Sequence, residues 1–138
     1  MSTHLASPEE TLVWGASLAQ GLHEGDVIAL CGQLGAGKTH VVKGLLDGLG
    51  SNEEVTSPTF SLVHEYQRAR LPVFHFDFYR MEREADLLSI GWDEYLDQPG
   101  IVVVEWADLF PALLPDHAQW YRLEALLEGG RHVTRIEP

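Results

Sequence analysis

Apolar residues follow two kinds of pattern along this chain, and each kind predicts a different element. Short, largely apolar runs at residues 26–31 and 101–104 are typical of strands that a parallel sheet buries on both faces. Apolar residues at helical spacing predict one helix over about residues 8–22 and another from about Lys38 to residue 49. A strand, a short loop and a helix therefore follow one another between residues 26 and 49.

The second half of the chain has the alternating and aromatic patterns of an antiparallel sheet. Runs at residues 60–66 and 73–79 predict two adjacent antiparallel strands, and residues 82–96 predict one or two helices interrupted at Gly91. The tail, residues 120–136, predicts a β-hairpin turning at two glycines, with a helix over 120–127 as the alternative. Together these elements predict an α/β domain with strands of mixed direction.

Residues 32–39 read Gly-Gln-Leu-Gly-Ala-Gly-Lys-Thr, the G-x-x-x-x-G-K-T pattern of a phosphate-binding P-loop, or Walker A motif. Glycines let the backbone curl so that successive N–H groups face a phosphate, and the following helix adds positive charge at its N-terminus. A glycine-rich turn that binds nothing is the alternative, but the flanking strand and helix supply the context that the motif requires. The residues that we expect to bind a nucleotide here are Gly32, Leu34, Gly35, Ala36, Gly37, Lys38 and Thr39.

Hydrolysis also requires acidic residues that organise a metal ion and a water molecule. Glu105 follows the apolar run 101–104, at the end of a strand where ligands sit in open α/β sheets. A strand-end glutamate exposed to water is the alternative, and we favour the functional interpretation. Alternation places Asp77 on one strand face with His75 and Tyr79. From the residues alone, that face fits a solvated surface as well as a metal or water contact.

Charge narrows the classes of partner. The 138-residue chain has a formal net charge of −12, and its only lysines are Lys38 and Lys43. That composition argues against a broad surface that tracks nucleic-acid phosphates. The N-terminus lacks a secretory pattern and Cys31 is the single cysteine, so we expect a cytoplasmic protein without a membrane span.

Four segments together resemble the TsaE (YjeE) family of bacterial P-loop ATPases. They are the P-loop at residues 32–39, Thr-Ser-Pro-Thr-Phe-Ser-Leu-Val at 56–63, His-Phe-Asp-Phe-Tyr-Arg at 75–80, and Val-Glu-Trp at 104–106. The resemblance covers nearly the whole chain in the expected order. It implies a P-loop NTPase-like three-layer fold with a mixed parallel and antiparallel central sheet, formed by residues 1–138 as one ATPase domain.

The resemblance also implies a function. Members of this family take part in making N6-threonylcarbamoyladenosine (t6A) in tRNA without transferring the group themselves. The implied role is that of an ATPase that binds ATP or ADP with Mg²⁺ and acts on the TsaD–TsaB pair. Contact with tRNA would then be indirect, through the partners, and we expect a monomer or weak oligomer when the protein is alone.

Residue roles carry over from the family pattern. Lys38 binds phosphate, Thr39 and Glu105 hold Mg²⁺, and Asp77 becomes a catalytic candidate together with Lys38 and Glu105. The remaining implied nucleotide contacts are Trp106 beside the nucleotide, Thr59 in a switch-like loop, and Thr11 and Gly130 near the adenine. Spacing alone favours a plain loop around Thr59. The chain departs from the family at Gln33, which replaces the usual aspartate, and at His40, which replaces a small hydroxyl residue.

Two other functions fit a P-loop. A small-molecule kinase usually needs a mobile, arginine-rich lid over the phosphates. The arginines here are scattered and no insertion is long enough for such a lid. A nucleotide-gated binding module without meaningful hydrolysis is the other alternative. Such a module could keep its function without Glu105, whereas an ATPase could not.

Overall fold

Seven strands form one mixed sheet at the centre of the protein. The computed structural model describes residues 2–32, 38–51 and 63–137. In the order of the sheet the strands run β1-β7-β6-β2-β5-β4-β3. The strands are β1 (Ser2–Leu5), β2 (Val27–Gly32), β3 (Val63–Tyr66), β4 (Val73–Asp77), β5 (Ile101–Glu105), β6 (Gln119–Ala125) and β7 (Arg131–Ile136). The helices are α1 (Pro8–Ala19), α2 (Lys38–Gly48), α3 (Glu84–Ser89) and α4 (Trp92–Asp97).

The four central strands are parallel and the outer strands are antiparallel. β2 lies between β5 and β6 and is parallel to both, and β4 is parallel to β5. β3 pairs antiparallel with β4, β7 with β6, and β1 with β7. The predicted strand pair before residue 80 and the predicted tail hairpin are therefore confirmed, and the alternative of a helix over residues 120–127 is wrong. The carboxyl ends of the parallel strands meet at one edge of the sheet.

Helices cover both faces of the sheet, which gives the expected three layers. α1 and α2 pack on the face that carries Ile28 and Leu30, while Leu87 and Trp92, from α3 and α4, pack on the face that carries Phe74 and Phe76. α1 and α2 approach very closely at Gly44. A Cβ at this position would overlap the carbonyl oxygen of Leu12, so only glycine allows the contact. This contact anchors α2, and with it Lys38, against the body of the protein.

Several boundaries differ from the prediction. α1 ends at Ala19, not near residue 22, and β1 was not predicted at all. β4 ends at Asp77, whose carboxylate accepts a hydrogen bond from the Tyr79 amide and caps a 3₁₀ turn at Phe78–Arg80. The prediction that Tyr79 shares a strand face with His75 and Asp77 is therefore wrong. Gly91 does separate two helices, α3 and α4, as one of the alternatives had it.

Within the described ranges, no helix is both long enough and apolar enough to cross a membrane.

Candidate functional site

The strand register brings the predicted acidic residues together at the carboxyl edge of the sheet. Glu105, the last residue of β5, pairs with Leu30 of β2 on one side and with Asp77 of β4 on the other. Alternation along each strand directs Asp77 and Glu105 to the face covered by α1 and α2. Ligands of open α/β sheets bind at this edge. The two carboxylates therefore lie near the start of α2, where Lys38 is located.

Lys38 is a buried cation at the first residue of α2, and 5% of its surface is exposed. Its Nζ donates a 2.7 Å hydrogen bond to the carbonyl oxygen of Gly32, the last residue of β2. Burial lowers the pKa of Lys38, while the negative charges of Glu105 and Asp77 act in the opposite direction. The ammonium group is thus held across the ends of the strands, facing the acidic residues.

Both carboxylates are buried, which excludes the alternative of a solvated strand face. Glu105 is 4% exposed and Asp77 is 8% exposed. Burial raises the pKa of Asp77, and the hydrogen bond from the Tyr79 amide, at 3.0 Å, lowers it in part. Two acidic groups placed so far from water need compensating positive charge or hydrogen bonds. Lys38, His75, Arg80 and the Tyr79 amide are among the groups that supply them in the described structure.

His75 is part of this constellation, and sequence analysis had placed it only on the same strand face as Asp77. Its ring is fully buried, and Nε2 lies 2.5 Å from Oε2 of Glu105. The two residues are thirty positions apart, so only the pairing of β4 with β5 brings them together. No local sequence signal identifies this hydrogen bond.

Trp106 follows Glu105 in a left-handed backbone conformation, with φ 58° and ψ 36°. Among the described residues, it is the one non-glycine residue with a positive φ. This conformation costs a residue with a side chain about 1–2 kcal/mol. It places the indole under Nζ of Lys38, 4.2 Å from the ring centroid, and against the exposed ring of Tyr79 at 5.0 Å. Backbone strain at the end of β5 therefore accompanies an aromatic contact with the candidate phosphate-binding lysine.

Two cavities flank this region. A small one of about 70 Å³ is lined by Thr11, Gly130 and His40, among other residues. The structure thus brings Thr11 of α1 and the Gly130 turn to one place, beside α2, and puts the His40 ring at the same cavity. A larger cleft of about 490 Å³ runs from Gly32 and Trp106 to the end of β6. The larger cleft therefore lies at the carboxyl ends of β2 and β6 and just after β5.

Five predicted nucleotide-binding residues lie outside the described part of the chain: Leu34, Gly35, Ala36, Gly37 and Thr59. Gly32, Lys38, Thr39, Asp77, Glu105 and Trp106 all lie at the ends of β2, β4 and β5 or at the start of α2. The nucleotide-binding roles of both sets of residues remain predictions.

The donor atoms present suit Mg²⁺ better than a soft metal, since Thr39 and Glu105 offer oxygen atoms only. The part of the chain that the structure describes contains no group of three or more His, Cys, Asp or Glu side chains able to hold a metal ion. Mg²⁺ is commonly held by one or two carboxylates together with phosphate oxygens, and seldom by an all-protein cage. A buried carboxylate at the end of β5 and a hydroxyl in the first turn of α2 are oxygen ligands of the kind that, with a bound phosphate, suit Mg²⁺.

The fold and the edge of the sheet together define an α/β protein of the P-loop NTPase-like, three-layer class with a mixed sheet. Residues 5–133 match the family described as "Threonylcarbamoyl adenosine biosynthesis protein TsaE". The chain belongs to the TsaE family, as its sequence motifs indicated.

Relatives from distant bacteria agree with this assignment. The tRNA threonylcarbamoyladenosine biosynthesis protein TsaE of Bacillus subtilis is 45% identical over 128 residues, covering 93% of this chain and 80% of the relative. The protein of the same name from Treponema pallidum is 41% identical, covering 93% of this chain and 94% of the relative. The crystal structure of Bacillus subtilis YdiB superposes with a TM-score of 0.80 at 34% identity, covering 98% of this chain and 83% of that one.

Proposed function

We propose that this protein is a Mg²⁺-dependent ATP-binding and ATP-hydrolysing subunit required for t6A modification of tRNA. The observation that carries the proposal is the meeting of Lys38, Asp77 and Glu105 at the carboxyl edge of the sheet in a member of the TsaE family. The names of its relatives support a task in threonylcarbamoyladenosine biosynthesis.

Lys38 is the residue that contacts the outer phosphates. In the described structure its Nζ bonds to the Gly32 carbonyl oxygen and lies over Trp106. Both partners are at the edge of the cleft, so a small side-chain movement turns the ammonium group toward a phosphate. Because the charge is buried, its attraction to an anion is less screened than that of a surface lysine.

Glu105 and Thr39 are the proposed protein ligands of Mg²⁺, and Asp77 is the proposed residue that orients water. When bound, Mg²⁺ neutralises charge on the phosphates of the nucleotide. Asp77 lies next to Glu105 in the strand register, and burial favours its neutral form more than in a free aspartate. A carboxylate in this environment is a stronger base toward a nearby water molecule than a solvated one.

The partners we propose are the TsaD–TsaB pair, with the protein acting on that complex in the cytoplasm and reaching tRNA only through it. The net charge of −12 supports an indirect contact with tRNA, because few basic groups are available to neutralise phosphates. Hydrolysis by the isolated protein is expected to be slow and to be stimulated by the partner pair.

The two lysines of the chain lie on one helix, so one of them provides a matched control for the other. Lys38 is buried at the start of α2, and Lys43 is exposed on the same helix. A bacterial strain that lacks the protein should regain t6A, measured by mass spectrometry of tRNA nucleosides, with the wild type and with Lys43→Ala but not with Lys38→Ala. In parallel, ATP hydrolysis by the purified proteins should rise on adding TsaD and TsaB, except with Lys38→Ala.

Full t6A levels with Lys38→Ala would refute a requirement for nucleotide turnover. Hydrolysis that depends on Lys38 but is indifferent to TsaD and TsaB would contradict the proposed partners, and phosphate transfer from ATP to a small metabolite would favour the kinase alternative.

A further inference from the structure

A buried histidine whose hydrogen bond goes to a proposed metal ligand needs an explanation. His75 is fully buried within β4, and its neighbours across the sheet are His64 of β3 and Val103 of β5. A valine in place of His75 would pack without the cost of burying a polar ring. Its Nδ1 has no hydrogen-bond partner among the described residues. The imidazole therefore adds little to packing that an apolar side chain would not add.

The hydrogen bond that the ring does make is directed at Glu105. Nε2 of His75 lies 2.5 Å from Oε2 of Glu105. A carboxylate oxygen only accepts, so the ring nitrogen is the donor. The ring of Tyr66 stacks on the imidazole, with 6.3 Å between the ring centroids. Oε2 of Glu105 thus has a fully buried ring nitrogen as its hydrogen-bond donor.

We propose that His75 is a positioning residue, which holds Oε2 of Glu105 by a hydrogen bond so that the other carboxylate oxygen faces the Mg²⁺ of a bound nucleotide. This inference rests on the function proposed above. Metal-binding groups are commonly oriented by such outer hydrogen bonds, and losing one typically weakens metal affinity about 10-fold to 100-fold.

The test compares two amides that differ in reach. The amide nitrogen of His75→Gln can take the position of Nε2, while that of His75→Asn is one methylene shorter and cannot reach Glu105. We measure by calorimetry the dissociation constant of the non-hydrolysable analogue adenosine 5′-(β,γ-imido)triphosphate in Mg²⁺ and in EDTA. The ratio of the two constants is the metal-dependent gain in affinity, and it does not depend on turnover.

We expect His75→Asn and His75→Leu to lower this gain about 10-fold or more. Binding in EDTA should stay unchanged, and His75→Gln should retain most of the gain. Val103→Ala is the structural control, because it removes packing opposite His75 and leaves the hydrogen bond in place. It should lower the melting temperature and keep the gain.

An unchanged metal-dependent gain in His75→Asn and His75→Leu would overturn the inference. Equal fold losses of affinity in Mg²⁺ and in EDTA would be such a result. This result would leave the proposed function standing if the wild type still binds the analogue more tightly in Mg²⁺. A wild type with no metal-dependent gain would overturn both the inference and the proposed metal site.

Discussion

The two faces of β4 are both buried, yet they are built for different purposes. Phe74 and Phe76 point into an aromatic cluster, where Phe76 meets Trp92 edge to face at 5.0 Å between ring centroids. His75 and Asp77, on the opposite face, are just as inaccessible but carry polar groups directed toward Glu105 and the edge of the sheet. One strand thus contributes apolar packing to one layer and polar groups to the other.

This difference separates stability from function along a single strand. Burying an aromatic ring stabilises the fold, whereas burying a carboxylate costs free energy unless it is paired. Changes on the aromatic face should therefore lower stability with little effect on chemistry per folded molecule. Changes on the polar face should lower the activity per folded molecule with little effect on stability.

The largest expected effect is on the polar face, at Glu105. Glu105→Gln keeps an oxygen that accepts from His75 but removes the negative charge from the proposed metal site. We expect ATP hydrolysis, measured with the partner proteins present, to fall about 10²-fold to 10³-fold, with little change in melting temperature. The exposed position Glu94→Gln is the matched control. Wild-type hydrolysis by Glu105→Gln would contradict the proposed metal role of Glu105, whereas lost hydrolysis with full t6A levels would favour a binding module that does not need turnover.

On the aromatic face, Phe76→Ala removes a fully buried ring between Trp92 and Tyr95. The free energy of unfolding, measured by urea denaturation, should fall by about 3–5 kcal/mol. Phe76→Leu should lose less, because it leaves a smaller cavity. If nucleotide affinity per folded molecule dropped as much as stability did, the two faces would not be independent.

Trp106 follows the end of β5 and combines a strained backbone with an aromatic contact. Trp106→Ala and Trp106→Gly both remove the indole beneath Nζ of Lys38, but only glycine adopts a φ of 58° without strain. We expect the glycine variant to be more stable to denaturant than the alanine variant by about 1 kcal/mol. Equal stabilities would indicate that the left-handed backbone at this position stores no strain.

The smallest effect is the pH dependence contributed by Asp77. Its pKa is raised in the folded protein by burial, so the folded state holds the proton more tightly than the unfolded state does. Stability therefore falls as pH rises from the ordinary aspartate value of about 3.9 through the raised folded value. Asp77→Asn escapes this loss, and its melting temperature relative to the wild type should increase from about pH 4 to neutral pH. A difference that shrinks toward neutral pH would contradict the account, and the exposed variant Asp97→Asn gives the baseline.

Local sequence patterns were sufficient to predict most of the fold. β2 and β5 are continuous apolar runs, α2 stops before Gly50, whose φ is +83°, and the tail hairpin turns at two glycines. β1 has no such signal, because Leu5 alone is buried among its four residues and β7 supplies its pairing. The end of β4 was misplaced because the Asp77 side chain caps a turn that the aromatic alternation does not reveal.

The site was predictable where each residue carries a signal in its own segment of the sequence. Lys38, Thr39 and Glu105 follow from a motif and a strand end. The bond from His75 to Glu105 depends on the register of two strands, and the cavity shared by Thr11, His40 and Gly130 depends on how α1, α2 and the β6–β7 turn pack. Such contacts join distant segments, so residue spacing carries no information about them.

The proposed function depends first on the binding of a nucleotide with Mg²⁺ at the polar edge built around Lys38. Calorimetric titration of ATP in Mg²⁺ into the wild type, Lys38→Ala and Lys43→Ala tests it most directly. We expect tight binding by the wild type and by Lys43→Ala, and at least about a tenfold loss with Lys38→Ala, for a lost charge-assisted contact of about 1.5–3 kcal/mol. Equal binding by all three proteins, or no binding by any of them, would contradict it.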